Sequence, residues 1–218
     1  MSGLEVQCGL KRVLLASFGF DVDYVLRRLA TQRYSKVVLL GLKTREGFER
    51  VKKAYSTLSI VCSSLRVDCV LEPIEPLNIL RSIYSTLLGE ARGAEEVEVY
   101  LTGGPRILVA ALIISTLMLP EPEAKRTKLI VEGEGFECSM SVTVQDLINR
   151  LRVDDRDKTI LAALEEGRLT LSEIVKKTGL PKSTVHRRLE ELVERGLVAK
   201  TEAETYIAKP YVDLVCLG

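Results

Sequence analysis

Hydrophobic and polar positions follow two alternating patterns along the first two thirds of the chain. Short, nearly continuous apolar runs alternate with longer segments in which apolar residues recur every three or four positions, as on one face of a helix. The apolar runs predict strands at 12–17, 36–43, 66–73, 96–101 and 128–133, with a further strand at 137–144. The segments between them predict helices at 23–32, 45–59, 76–90 and 107–119. Alternating strands and helices favour a mostly parallel sheet covered on both faces, so residues 1–150 are predicted to form a Rossmann-like α/β domain.

In the last third of the chain the pattern changes to short helical segments followed by two short strands. A first helix is predicted at 157–166, and two strands within 197–208 are joined at an acidic tip. Between them, residues 170–195 have the pattern of a helix-turn-helix, in which Gly179 ends the first of the two helices. Three helices followed by a β-hairpin are typical of a winged helix-turn-helix. Residues 151–218 are therefore predicted to form a second, smaller domain.

The second helix of this motif separates its apolar residues from its basic ones. Its predicted buried stripe has the spacing i, i+4, i+7 and i+8 and comprises Val185, Leu189, Leu192 and Val193. The other positions in its N-terminal part contain no acidic residue and are expected to face solvent or DNA. A recognition helix presents this part to base edges and phosphates. The residues predicted to contact DNA are Lys182, Ser183, Thr184, His186, Arg187 and Arg188.

The balance of charge limits how strongly this domain can attract DNA. Residues 151–218 contain 12 basic and 12 acidic side chains, and the whole chain has a net charge of +1. Glu202 and Glu204 at the tip of the hairpin would be repelled by phosphate. DNA contact is therefore expected mainly from the recognition helix, with affinity gained through dimerisation. The neutral charge is also compatible with a protein-interaction module, and that alternative stays open.

Composition argues against several other classes of protein. The five cysteines form no CxxC pair and are accompanied by a single histidine, so we expect no metal site and reduced thiols in a cytoplasmic protein. The longest apolar run, 107–119, is too short to span a bilayer, and no signal segment opens the chain. The low number of Asn and Gln residues suggests a thermophilic source. The apolar tail, 211–217, is expected to pack at the domain junction or at a dimer interface.

Two loops at the predicted carboxyl ends of strands carry candidate ligand-binding chemistry. Ser17-Phe18-Gly19-Phe20 follows the first strand, and Thr102-Gly103-Gly104-Pro105-Arg106 follows the fourth. Glycines permit a close approach of the backbone, and a guanidinium beside a helix N-terminus suits an anion such as phosphate. The same glycines would also serve a tight strand–helix turn, which remains an alternative. The chain has neither GxGxxG nor GxxxxGK[ST], so the usual signals of dinucleotide binding and triphosphate hydrolysis are lacking.

Together these features resemble the CRISPR-associated transcriptional regulators that join a CARF domain to a C-terminal winged helix. The resemblance rests on the SFGF loop, the LTGGPR loop and the appended helix-turn-helix. It implies a Rossmann-like homodimer that binds cyclic oligoadenylate, with cyclic tetra-adenylate as the expected ring, on its twofold axis. The bound ligand would then modulate binding to double-stranded DNA. The ligand-site residues that it implies are Ser17, Phe18, Gly19, Phe20, Thr102, Gly103, Gly104 and Arg106.

Two further hypotheses concern what the loops would do with such a ligand. Adenine bases could stack on Phe18 or Phe20, although either ring could instead pack beneath the loop, which is the expectation for Phe20. A ring nuclease is the enzymatic alternative: Arg106 could stabilise charge on the phosphate, and Ser17 or Thr102 could orient the ligand. The loops contain no histidine, no catalytic residue is assigned, and the chain is expected not to be an enzyme.

Overall fold

The computed structural model describes residues 11–101, 103–133, 138–210 and 213–216, the last of these by backbone only. Its contacts divide the chain after Val144 into two compact units, and the chain returns to the first unit from Leu214 onward. The division therefore lies at Val144, whereas the sequence pattern placed it at residue 150. Within the described ranges, no helix is long and apolar enough to cross a membrane.

The predicted strands and helices occur in the predicted order, and the structure adds four elements that the pattern did not predict, at 121–125, 144–151, 169–170 and 213–216. The strands are β1 (Arg12–Phe18), β2 (Lys36–Leu42), β3 (Asp68–Ile74), β4 (Glu96–Leu101), β5 (Thr127–Glu132), β6 (Cys138–Thr143), β7 (Leu169–Thr170), β8 (Val198–Lys200), β9 (Thr205–Ala208) and β10 (Asp213–Cys216). The helices are α1 (Asp23–Thr31), α2 (Phe48–Leu65), α3 (Ile79–Gly93), α4 (Arg106–Leu117), α5 (Glu121–Lys125), α6 (Val144–Leu151), α7 (Asp155–Glu165), α8 (Leu171–Thr178) and α9 (Lys182–Glu194). A short 3₁₀ helix, Pro76–Asn78, precedes α3.

Seven of the described strands form the sheet of the first unit, in the order β10-β6-β5-β4-β1-β2-β3. The pairs β3–β2, β2–β1, β1–β4 and β4–β5 are parallel, and β6 runs antiparallel to β5. This order confirms the predicted Rossmann-like, mostly parallel sheet. The chain crosses from the edge at β3 back to the far side of β1, so the strand order reverses between β1 and β4. Open α/β sheets bind ligands at such a reversal, outside the carboxyl ends of the strands.

The strand β1 lies in the centre of this sheet and is buried on both faces. Leu14, Ala16 and Phe18 share one core with α1 and α2, which contribute residues such as Val25 and Leu58. Side chains alternate along a strand, so the intervening residues of β1 point to the opposite face, where they are also fully buried. Residues near the end of β1 are therefore held in the core rather than presented to a ligand.

The second unit is a winged helix-turn-helix, as predicted. The helices α7, α8 and α9 share a core with a small antiparallel sheet of order β7-β9-β8. Thr170 and Glu173 form the predicted capping box at the start of α8, with the Thr170 N–H donating to Glu173 Oε2 at 2.7 Å. Gly179 ends that helix in the left-handed conformation, at φ +68°. Pro181 immediately precedes α9, which begins at Lys182.

Cys62 and Cys69 are joined by a disulfide, so the expectation of reduced thiols is wrong for this pair. The bond links the C-terminal part of α2 to β3 across a Cα–Cα distance of 6.1 Å. Between them the chain reverses at Arg66, which has a left-handed φ of 57°. The sequence pattern did not indicate the pair because its approach depends on this turn. Intracellular disulfides are rare except in proteins of hyperthermophiles.

We predict that reducing this disulfide lowers the free energy of unfolding by about 2–3 kcal/mol, because a cross-link across seven positions restricts the unfolded chain. Denaturant unfolding with and without a reductant measures the effect. The double variant Cys62→Ser/Cys69→Ser should show the lower stability in both conditions. A wild-type protein that is equally stable in both would contradict the prediction.

Candidate ligand site and nucleic-acid interface

The loops that follow β1 and β4 touch each other through their backbones. A Cβ placed on Gly19 would lie 3.0 Å from both the N and the Cα of Gly104. A Cβ placed on Gly104 would lie 3.0 Å from the carbonyl oxygen of Phe18, and Gly104 has a φ of +89°. Gly103, in contrast, has open space around its Cα. Gly19 and Gly104 are therefore required for contact between the two loops, whereas Gly103 is left available beside them.

A cavity of about 290 Å³ opens where these loops meet the start of α2. Its lining includes Gly19, Phe20, Gly103 and Gly104, together with Thr44 from the loop after β2. A second, more open cavity of about 510 Å³ shares Thr44 and Gly47 with the first and adds Glu46 and the cations Arg45 and Arg50. The Oγ1 atom of Thr44 accepts a hydrogen bond from the Gly47 N–H at 3.1 Å, which fixes the turn between them. The carboxyl edge of the sheet thus carries two connected recesses, the outer of which contains two arginines.

The structure changes the roles expected for the residues of the first loop. Ser17 and Phe18 are fully buried, so the expectation that they contact a ligand is wrong for both side chains. Phe20 was expected to pack beneath the loop, but its side chain is 71% exposed. Phe18 is buried because β1 continues through this residue, so the Phe18 side chain still packs in the core beside the strand. Phe20 lies beyond the strand end and lines the cavity.

The second loop has the predicted organisation at the start of α4. Pro105 has an extended backbone and directly precedes α4. Arg106 is the first residue of α4 and is exposed. The first turn of a helix carries N–H groups without partners inside the helix and a partial positive charge. Arg106 adds a full charge at the same place. Thr102, which was also predicted to contact a ligand, lies outside the described residues.

Sequence reasoning missed Arg50, because 45–59 was predicted as a helix of the α/β domain and no ligand role was assigned to its residues. The Arg50 guanidinium lies 5.7 Å from the centre of the Phe20 ring, within the range of a cation–π contact. Its position in the sequence could have indicated a role in the site, because Arg50 lies in the first turn of the helix that follows β2, at the same edge of the sheet as the glycine loops. Arg50 therefore belongs to the candidate site.

A separate cluster of buried charge contributes to the core of the first unit. The Glu98 carboxylate on β4 is nearly inaccessible and accepts hydrogen bonds from Arg12, Tyr34 and Arg28, the last at 2.8 Å. Burial, and then the hydrogen bond to Glu98, raises the pKa of the Tyr34 hydroxyl above its usual value. The phenol therefore remains a hydrogen-bond donor to the carboxylate. These contacts satisfy a charge that would otherwise be costly to bury.

Most residues predicted to contact DNA are presented to solvent by α9. Lys182, Ser183, His186 and Arg187 are exposed, and Thr184 is partly so. The Arg187 guanidinium is within 2.6 Å of Glu191 Oε1 on the same helix, an exposed pair that contributes little to stability. These side chains can therefore reorient toward phosphate or a base edge.

Arg188 does not face solvent or DNA, so that expectation is wrong for this residue. Its side chain is only 18% exposed and lies 2.7 Å from Asp154 Oδ2 and 3.4 Å from Asp157 Oδ1. Asp157 is almost completely buried and also pairs with Arg195 at 3.1 Å. A bond from the Asp157 N–H, together with the Arg188 charge, lowers the pKa of Asp154. Arg188 therefore holds α9 against the start of α7.

The wing contributes little positive charge of its own. Lys200 at the end of β8 forms an ion pair with Glu204 at 2.7 Å. Glu204 lies in the turn before β9 and has a positive φ of 55°. This agrees with the expectation that the recognition helix, rather than the wing, provides cations for DNA. Among the described residues, no group of His, Cys, Asp and Glu side chains is arranged to hold a metal ion.

We predict effects of different size for alanine at two adjacent arginines. Arg188→Ala should lower the free energy of unfolding by about 1–3 kcal/mol, because it leaves buried Asp157 with fewer partners. Arg187→Ala should change stability by less than about 0.5 kcal/mol, since its ion pair is exposed. Thermal or denaturant unfolding of the two variants checks the pair. Equal stabilities would contradict the structural role of Arg188.

Comparison with known proteins gives matches in both units. Residues 12–144 match the Csa3 CRISPR-associated Rossmann-like domain, and residues 158–202 match the IclR helix-turn-helix domain. The HTH-type transcriptional regulator FL11 of Pyrococcus furiosus is 44% identical over 52 residues, which are 23% of this chain and 34% of that protein. An uncharacterized HTH-type transcriptional regulator of Pyrococcus abyssi is 45% identical over 49 residues, 22% of this chain and 30% of its own. The chain thus spans about a third of the length of the relatives that it matches.

Two solved structures are similar to 92% of the chain. Protein VC1899 from Vibrio cholerae has a TM-score of 0.45 and 14% identity, with 62% of its length covered. Can2 from Sulfobacillus thermosulfidooxidans, in complex with cyclic tetra-adenylate, has a TM-score of 0.44 and 10% identity, with 61% covered. The match to the Csa3 domain rests on sequence and covers more than half of the chain. The protein therefore belongs to the family defined by the Csa3 CRISPR-associated Rossmann-like domain, which is here followed by an IclR-type helix-turn-helix.

Proposed function

We propose that this protein is a homodimeric transcription regulator of a CRISPR system, which binds cyclic oligoadenylate through its α/β unit and double-stranded DNA through its winged helix. One observation carries the proposal: the two glycine loops meet beside the exposed Arg106 at the start of α4. The membership of the chain in the Csa3 family and its exposed basic recognition helix support it.

The ligand is proposed from the chemistry of the site. Arg106 and the first turn of α4 suit a phosphate, and Arg45 and Arg50 place further cations at the same edge. A cyclic oligonucleotide has one negative charge per phosphate. On a twofold axis, a ring with an even number of nucleotides would meet each loop twice, and cyclic tetra-adenylate is the proposed case.

The dimer is proposed to form through an apolar patch on α4 and the chain segment that packs beside it. The patch comprises Ile107 and Ile114 of α4, Met118 directly after that helix, and Leu77 and Leu80, all of them exposed. The helices α3 and α4 lie against each other, and the Ser115 hydroxyl approaches the Leu80 carbonyl at 3.5 Å. Several large apolar side chains exposed on two packed elements indicate an interaction surface. Because Ile107 adjoins Arg106, a second copy covering the patch would bring a second Arg106 to the same site.

Binding without cleavage is the favoured activity of this site. Ser17 was a candidate to orient a ligand for cleavage, but its side chain is fully buried. The single histidine of the chain, His186, lies on α9 in the other unit. Arg106 could stabilise charge on a phosphate, and the Asp21 carboxylate that lines the cavity already accepts a hydrogen bond from the Asp23 N–H at 3.0 Å. We therefore infer a regulatory ligand rather than a substrate.

We predict that Ile114→Glu converts the dimer to a monomer, because it buries an unpaired carboxylate in the proposed interface. Light scattering at micromolar concentration measures the mass. Ile60→Glu is the matched control, since Ile60 is also an exposed isoleucine but lies on α2. A wild-type monomer, or a dimer that survives the Ile114 variant, would count against this interface.

We predict that Arg106→Ala weakens binding of cyclic tetra-adenylate by about 1.5–3 kcal/mol per contact, as for hydrogen bonds to a charged group. Folding should be unaffected, because Arg106 is exposed. Isothermal calorimetry gives the affinity. Arg33→Ala removes an equal charge from the exposed segment before β2, at the opposite edge of the sheet, and should leave binding unchanged. Unchanged affinity in Arg106→Ala would place the ligand elsewhere.

We predict that Lys182→Glu/Arg187→Glu abolishes binding to promoter DNA of the associated CRISPR genes at physiological salt, while leaving the thermal transition and ligand affinity unchanged. Both positions are exposed on α9, and each lost phosphate contact should reduce the slope of log K against log salt by roughly 0.9. Gel shifts over a range of salt concentrations measure this. Lys158→Glu, on the exposed side of α7, is the control. Retained binding in the double variant would favour the protein-interaction alternative.

A further inference from the structure

We propose that Phe20 and Arg50 form a nucleobase-stacking step in the ligand site, in which a purine of the ligand stacks on the Phe20 ring while Arg50 holds that ring in place. This inference rests on the proposed function, because it names the part of the ligand that the cavity recognises. It adds Arg50 as a residue that positions the stacking surface.

The loop holds Phe20 in an exposed position from both sides. On one side, Gly19 is in backbone contact with Gly104, at the limit of close approach. On the other side, the Asp21 carboxylate accepts a hydrogen bond from the Asp23 N–H at 3.0 Å, at the start of α1. The ring between these two anchors is 71% exposed, whereas Phe18 two residues earlier is fully buried. The Phe20 ring therefore lacks the burial that stabilises most phenylalanine side chains, and the two contacts that hold the loop do not involve the ring.

Arg50 gives the exposed ring a defined orientation. It extends from the first turns of α2, and its guanidinium lies 5.7 Å from the ring centre. A planar guanidinium stacks on aromatic faces and so restricts the rotation of the ring before a ligand arrives. Preorganisation of this kind lowers the entropy that binding must otherwise remove. The pair is therefore suited to a flat ligand group that adds to an existing stack.

The two adjoining cavities suit two different parts of a nucleotide, the base in one and the charged phosphate in the other. Phe20 lines the cavity of about 290 Å³ between the glycine loops, and Arg50 lines the adjoining cavity with Arg45. A base against the Phe20 ring would therefore have cations close to the phosphate of the same nucleotide. Stacking tolerates any base but strengthens with the size of the π-face, so the structure favours purines over pyrimidines at this step.

Cyclic tetra-adenylate with one adenine replaced by 2-aminopurine tests the proposal, because the emission of this base is quenched on stacking. The chain has no tryptophan, which keeps the fluorescence background low. Wild type should bind with quenching. Phe20→Leu, which keeps an apolar side chain, should bind roughly 5- to 100-fold more weakly and lose the quenching. Phe20→Tyr should retain both, and Arg50→Ala should weaken binding and reduce the quenching.

Ile60→Ala, which changes another exposed apolar residue on α2, is the matched control and should behave as wild type. If Phe20→Leu binds with wild-type affinity and full quenching, the stacking step is overturned while ligand sensing stands. If wild type does not bind the cyclic probe, the proposed function fails. In that case linear tetra-adenylate carrying the same fluorescent base tests the stacking step alone. Quenching that depends on Phe20 would support the stacking step, and the absence of such quenching would overturn it.

Discussion

The adjacency of β1 and β4 is the constraint on which the candidate ligand site depends. Parallel strands end at the same edge, so the loops that follow neighbouring strands must share the space beyond it. At Gly19 and Gly104 the backbones approach so closely that a Cβ on either residue would lie only 3.0 Å from atoms of the other loop. This contact fixes the strand ends, presents Phe20 outside the core and leaves Arg106 at the start of α4. Residues that would otherwise belong to two separate turns become one surface.

The second unit uses its charges for two different purposes. The residues Asp154, Asp157, Arg188 and Arg195 form a partly buried cluster that holds α7 and α9 together. The exposed cations, such as Lys182 and Arg187, are left for contact with another molecule. A domain with equal numbers of basic and acidic residues can still present cations at the start of α9, because the acidic residues of that helix begin only at Glu190.

The helix α6 belongs to the DNA-binding unit although it follows the last antiparallel strand of the first one directly. Asn149 donates to the Arg195 carbonyl at 3.0 Å, and the Arg195 guanidinium donates to the Asn149 carbonyl at 2.5 Å. Arg195 is the residue at the C-terminal end of α9 and also reaches Asp157. These reciprocal bonds connect α6 to the end of the recognition helix, so the two helices form one body. No periodic pattern of apolar residues indicates this pairing, which explains the predicted division at residue 150.

The order of the main strands and helices, the winged helix-turn-helix and the two glycine loops can be predicted from the sequence. These follow from local rules: the period of apolar residues, the capping pair Thr170 and Glu173, and the need for glycine where a backbone turns or approaches closely. The tertiary structure decided which side chains are free. Phe18 is buried and Phe20 exposed because β1 ends between them, and Arg188 is held by carboxylates from another helix. The Cys62–Cys69 bond and the return of Asp213–Cys216 to the sheet likewise depend on chain reversals. Such contacts join residues distant in the chain or across a turn, and no local periodicity encodes them.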